Sequence, residues 1–278
     1  MKGDAPSRTA WGAALHRAAH QLVDRPPVFA DPLALTIVGE EAAAELRLRR
    51  DRHALRGAAP LRAFIAARSR FAEDELAVAF AGGIRQYVLL GAGLDTFAYG
   101  RSGAFPALGV FEVDHPATQG WKRSRLREAG IEIPACVTYV PVDFERETLR
   151  EGLARAGFDF ASPAFFAWLG VTPYLTRSAV MATLAFIASL KSGSAVAFDY
   201  AERPRWGSRG WWLAARVAAA GEPFKSFFKP AELEQAMQGQ GFSQARDWDT
   251  GALNARYFAG RGDGLRLAGR GHLMHARV

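Results

Sequence analysis

Short apolar runs punctuate the middle of the chain, each bounded by glycine, proline or a carboxylate. They are Tyr87–Leu90, Val110–Asp114, Val137–Val142, Ala164–Leu169 and Ala195–Asp199. Their length and their β-branched and aromatic content suit strands buried on both faces. Between them the apolar positions take helical spacing, over about 117–129, 146–156 and 177–190. Buried strands alternating with helices predict a parallel sheet covered on both sides.

The first 80 or so residues lack such runs and read as helical. Ser7 and Thr9 suit the start of a helix through His20, with Leu15, Ala18, Ala19 and Leu22 on one face, ended by Pro26 and Pro27. Asp31-Pro32 predicts a second, short helix, and 41–54 a very polar third. Pro60 starts a longer one carrying Phe64, Ala67, Phe71, Leu76 and Phe80, and Gly82-Gly83 stops it, because a left-handed C-cap favours glycine. After Tyr200 the rhythm breaks. Residues 203–228 hold Trp206, Trp211, Trp212, Phe224, Phe227 and Phe228 among arginines and glycines. A helix over 230–240 capped by Gly241 follows, with strands near 242–248 and 265–276. A single domain over 1–278 is expected: a helical cover (1–82), an α/β core (83–202), then a lid and terminal strands (203–278).

An apolar fraction of 49% supplies a sizeable core, and 23% charged residues argue against disorder. The net charge of +7 comes almost wholly from arginine, with only five lysines. Such a surface attracts anions of many kinds. The run Arg47, Arg49, Arg50, Arg52, Arg56 fits a solvated helix face, and no zinc-finger or RNA-binding signature accompanies it, so nucleic acid is not expected. Cys136 is the only cysteine, which excludes an internal disulfide and makes a cysteine-based metal site implausible. No signal-peptide pattern and no long uninterrupted apolar run occur, so a cytoplasmic protein away from membranes is expected. Homo-oligomerisation is left open.

The strongest chemical signal is Leu89-Leu90-Gly91-Ala92-Gly93-Leu94-Asp95-Thr96, directly after the first strand of the alternating block. Ligands in such sheets bind at the carboxyl ends of the strands. Gly91 and Gly93 would let the backbone approach one with no Cβ between. A dinucleotide fingerprint calls for a third glycine where Thr96 stands, so a phosphate-free nucleoside fits better. The second strand ends in Glu112-Val113-Asp114, and a carboxylate there can accept from both ribose hydroxyls. The third ends in Val142-Asp143-Phe144, where a carboxylate and an aromatic ring suit an adenine. Each has a plainer alternative: a structural turn, a solvated carboxylate, or, for Asp143, the N-cap of helix 146–156.

Three stretches together resemble the leucine carboxyl methyltransferase-like family of class I enzymes that use S-adenosylmethionine (SAM): Gly83–Thr96, Phe111–Pro116 and Gly170–Thr176. Ser7–Ala10 and Asp199-Tyr200 extend the likeness. The resemblance implies a Rossmann-like, mostly parallel methyltransferase sheet with an N-terminal helical cover and an aromatic lid insertion. It implies SAM as cofactor, with Arg68 on the methionine carboxylate, Gly91 and Gly93 against the ligand, Asp114 on the ribose, and Asp143 with Phe144 at the adenine. Arg68 also makes chemical sense alone, since a guanidinium matches a carboxylate in two parallel bonds. Some relatives carry a glutamate just before Gly170-Val171, facing the SAM amino group, where this chain has Leu169. A backbone carbonyl or a water would then serve.

The expected function is O-methylation of a small-molecule carboxylate or hydroxyl, of the kind found in specialised metabolism. Tyr174, Tyr200, Trp211 and Trp212 are candidates for the acceptor wall. No catalytic base is assigned among His115, Tyr174, Asp199 and Tyr200. A protein C-terminal carboxyl methyltransferase is the alternative, with an NAD(P) oxidoreductase or a non-enzymatic binding module further off.

Overall fold

The computed structural model describes residues 8–49, 58–143, 146–207, 210, 214, 215, 218 and 223–278. Ser7, Arg50, Arg52, Arg56, Phe144, Trp211 and Trp212 lie outside the described residues. Seven strands form one sheet: β1 (Gln86–Leu90), β2 (Gly109–Asp114), β3 (Val137–Pro141), β4 (Ala164–Trp168), β5 (Ala195–Ala201), β6 (Gln244–Trp248) and β7 (Gly271–Arg277). Their order is β3-β2-β1-β4-β5-β7-β6. The first five strands pair in parallel, while β7 lies antiparallel to both β5 and β6.

The sheet is buried on both faces, as its continuous apolar runs require. Successive side chains of a strand point to opposite faces, so each strand divides its residues between two cores. Tyr87, Leu89, Val110, Phe165 and Ala197 join Phe71 and Leu76 on one side. Val88, Leu90, Val113, Phe166, Trp168, Val196 and Phe198 join Leu153, Leu184 and Leu233 on the other. Each such fully buried leucine or phenylalanine contributes about 1.5–3 kcal/mol.

The amino-terminal region is helical: α1 (Arg8–Val23), α2 (Ala34–Ile37), α3 (Glu40–Arg49) and α4 (Ala59–Ala81). Alanines at 14, 18, 34 and 43 let α1, α2 and α3 approach closely around Ile37, Val38 and Leu94. Helix α4 carries Phe71 and Leu76 into the core and stops at Gly82-Gly83, where Gly83 takes φ +101°. Helices α5 (Phe97–Gly100), α6 (Pro116–Glu128), α7 (Leu149–Arg155), α8 (Arg177–Ala188), α9 (Pro230–Gln240) and α10 (Thr250–Tyr257) follow.

Three local expectations change. Asp31 does not cap α2; it accepts from Leu33 N–H in the turn before that helix, which begins at Ala34. The helix expected over 146–156 starts at Leu149, because Thr148 and Glu151 form a reciprocal capping box. The last strand starts at Gly271 rather than near 265, and α10, capped by the Asp249 carboxylate, fills part of the interval before it.

Candidate functional site

The chain leaves β1 at Leu90 and turns sharply. Gly91 takes φ +70° and Gly93 φ +46°, both in the left-handed region. Gly91 N–H and Ala92 N–H both donate to the Val113 carbonyl of β2, at 2.8 and 3.1 Å, pinning the turn over the neighbouring strand. A Cβ on Gly91 would lie 2.4 Å from Val171 Cγ2, so the turn after β4 is pressed against the turn after β1.

Asp114 closes the same turn from β2. Its Oδ2 accepts from Gly93 N–H at 2.6 Å and its Oδ1 from His115 N–H at 2.7 Å. Burial raises its pKa, and those two backbone donors oppose the rise. An ionised carboxylate has about four acceptor positions. Two are used, which leaves capacity for a vicinal diol.

Arg68 reaches the site from α4. Its guanidinium covers Gly170 so closely that a Cβ there would stand 2.7 Å from Nη2. Nη1 donates to Asp199 Oδ2 at 3.1 Å, and Asp199 Oδ1 accepts from Gly170 N–H at 2.5 Å. Asp199, on β5, thus ties the helix to the turn after β4. Arg68, Gly91, Gly93 and Asp114 therefore meet at the carboxyl ends of β1, β2, β4 and β5.

Asp143 follows β3, and Val142 N–H donates to the Asp114 carbonyl at 3.0 Å, holding the two strand tips together. The capping alternative for Asp143 fails. Thr148 caps α7, while the Asp143 carboxylate stands 3.4 Å from Arg146 Nε.

Two further groups of residues escaped sequence reasoning. Arg17 of α1, buried, donates to the Leu94 carbonyl at 2.5 Å and to Asp31 at 3.2 Å. Asp31 also accepts from the Thr96 hydroxyl at 2.8 Å. The residue that breaks the dinucleotide fingerprint thus anchors the glycine turn to the helical cover. Beneath Asp114, Lys122 and Glu112 form a buried pair at 2.7 Å; Tyr99 donates to the same Glu112 oxygen at 3.2 Å and meets the Tyr139 hydroxyl at 2.7 Å. Burial raises the Glu112 pKa, with Lys122 opposing. An Arg-to-Asp clasp 14 residues apart and a Thr-to-Asp bond 65 apart leave no local pattern to read.

The acceptor-wall candidates separate. Tyr174 follows the Gly170-Val171 turn and meets Phe224 edge-on at 5.3 Å. The irregular stretch around Phe224 is fastened there, with Lys225 N–H donating to the Pro173 carbonyl at 2.6 Å and Ser226 Oγ to the Thr172 carbonyl at 2.8 Å. Tyr200 does not present its hydroxyl. It is 2% exposed, stacks on His272 and donates to Asp247 Oδ1 at 2.5 Å. Two surface hollows, of about 390 and 480 Å³, are lined by residues of α2, α3 and α6 and by the stretch after α6, away from the strand tips.

The sequence profile of the leucine carboxyl methyltransferase family matches residues 10–188. The chain belongs to the leucine carboxyl methyltransferase family. The Bacillus subtilis protein YktD, provisionally named an SAM-dependent methyltransferase, is 30% identical over 99% of both chains. A Frankia alni protein named in the same provisional way is 36% identical over 66% of this chain and 64% of its own. Among solved structures, a provisionally named methyltransferase of Thermobifida fusca superposes with a TM-score of 0.60 at 17% identity, covering 99% of this chain and 96% of that one. At that identity the likeness speaks for the fold, a class I methyltransferase sheet with its antiparallel seventh strand. Family membership places the chain among the SAM-dependent methyltransferases.

The residues at the strand tips fit that cofactor in kind. Gly91 holds a left-handed turn whose Cβ position is taken up by Val171, Asp114 retains acceptor capacity, and Arg68 is a largely buried cation. Leu169 departs from the acidic residue of some relatives and packs instead against the core beneath α4.

Proposed function

We propose that the chain O-methylates a small molecule, most simply at a carboxylate, using SAM held by Arg68, Gly91, Gly93, Asp114, Asp143 and Phe144. SAM when bound supplies a methyl group already activated on a sulfonium. The protein's task is then to align the acceptor and exclude water, and alignment can be worth roughly 7–11 kcal/mol of the barrier.

The observation that carries the choice of acceptor is the engagement of two of the candidate bases. His115 Nδ1 accepts from Ala117 N–H as the cap of α6, and Tyr200 is bonded to Asp247. A hydroxyl acceptor requires a base to remove its proton; a carboxylate requires none. Burial also raises the Tyr200 pKa, with the Asp247 bond adding to it, which leaves that phenol a poor base. The aromatic contact of Tyr174 with Phe224, beside the Gly170-Val171 turn, supplies an apolar wall. Arg177 over Phe228 and Arg203 over Phe227 put cations near it, in keeping with an anionic acceptor.

The test is a metabolite-extract screen with methyl-labelled SAM. A labelled small molecule that releases its label as methanol in alkali is the expected product. An alkali-stable label indicates a hydroxyl acceptor, and a label found only at a protein carboxyl terminus overturns the small-molecule reading.

A further inference from the structure

The Arg68–Asp199 pair has a property beyond anchoring. Both side chains are largely buried, with Asp199 only 3% exposed, yet neither is saturated. Arg68 has five N–H groups, and among the described residues only Nη1 is bonded to protein. Asp199 accepts one bond on each oxygen and retains the capacity for two more. The remaining N–H groups of Arg68, whose side chain is 14% exposed, and the remaining lone pairs of Asp199 can serve a ligand.

The ligand that would complete it is a zwitterion. An α-amino acid carries its ammonium and its carboxylate on one carbon. A carboxylate gripped by Arg68 therefore brings the ammonium alongside the carboxylate that already touches Arg68. That group is Asp199. Leu169, at the same strand end, offers no charge and points into the core. The arrangement also keeps the site neutral, since a neutral pair receives a net-neutral group.

We propose, resting on the cofactor reading above, that Arg68 and Asp199 form a two-charge socket for the amino-acid end of SAM, with Asp199 accepting from the ammonium. Asp199 is then a cofactor-binding residue in its own right, supplied by β5 in place of a side chain from position 169. The backbone bond from Gly170 to Asp199 Oδ1 fixes the orientation of that acceptor.

Calorimetry with three ligands tests this: S-adenosylhomocysteine, its deamino analogue and its decarboxylated analogue, each with wild type and Asp199→Asn. A hydrogen bond to a charged group contributes about 1.5–3 kcal/mol, so Asp199→Asn should weaken S-adenosylhomocysteine roughly 10- to 100-fold. It should leave the deamino analogue nearly unchanged, while the decarboxylated analogue, which keeps its ammonium, loses affinity as the parent does. Asp199→Glu, which retains the charge, should recover part of the parent's affinity and also guards against a folding defect in the amide variant. Equal losses for the parent and deamino ligands would mean that Asp199 acts only by holding Arg68 and the turn, and would overturn the proposal. Failure of wild type to bind any of the three would instead overturn the cofactor reading itself.

Discussion

Replacing Gly91 by alanine tests the strand-tip geometry with one methyl group. The cost has two independent parts. The backbone at Gly91 has φ +70°, and an L side chain there costs about 1–2 kcal/mol. The added Cβ would also stand 2.4 Å from Val171 Cγ2, where a carbon pair rests at about 3.5–4.0 Å. Val171 is half-buried against the core under β4 and β5, so relief requires the turn after β4 to move, and overpacking of this kind costs about 1–3 kcal/mol. Urea denaturation should therefore show Gly91→Ala destabilised by roughly 2–5 kcal/mol. Val171→Ala removes the colliding methyl but not the backbone strain. The double variant should be less destabilised than the sum of the singles, with a coupling of about 1–2 kcal/mol. S-adenosylhomocysteine affinity should fall in Gly91→Ala and return only partly in the double variant, since the backbone strain at φ +70° remains after the collision is relieved. A single variant within about 0.5 kcal/mol of wild type, or strictly additive effects, would refute the reasoning.

Two other outcomes follow from the buried charges. Lys122→Met strands Glu112 without its cation in a site where both side chains are 1% exposed, and should cost about 3–5 kcal/mol of stability; adding Glu112→Gln should recover much of it, which equilibrium unfolding of the two variants checks. Asp24 responds to acid: burial pushes its pKa up, but the bonds from Arg62 and His20 outweigh it and hold the group at about 2. A depressed carboxyl stabilises the fold fully above its unfolded value of 3.8 and loses that contribution as pH falls towards 2. The loss should be on the order of 1–2 kcal/mol after allowing for screening. Stability curves between pH 5 and 2, compared with Asp24→Asn, should show wild type alone losing this increment (pH range set by the shift).

Much of the fold was legible because its strands are buried on both faces. Runs such as Ala164-Phe165-Phe166-Ala167-Trp168 have no polar side to confuse the period, and the glycine turn after Leu90 marks a strand tip. The end of the chain was harder. Strand β7 fits between β5 and β6 in reverse direction, which no local pattern announces, because strand order is set by pairings far apart in sequence. Helix α10 did carry a signal, Asp249 before Thr250, that reading by apolar runs passed over. In the site, Gly91, Asp114 and Asp143 stood out by their place after a strand. Arg68 came only through resemblance, since an arginine on a helix looks like a surface residue until Asp199, 131 positions on, is seen beside it. Arg17, Asp31 and Thr96 were invisible as a set for the same reason: their bonds join the helical cover to the glycine turn across long separations.

The position of the bound nucleoside is the most direct test. A crystal structure with S-adenosylhomocysteine should show the ribose diol on Asp114, the adenine beside Asp143 and the amino-acid end at Arg68. Density for the ligand elsewhere, such as the hollow lined by Arg47 and Arg125 between α3 and α6, with the strand tips left bare, would contradict it.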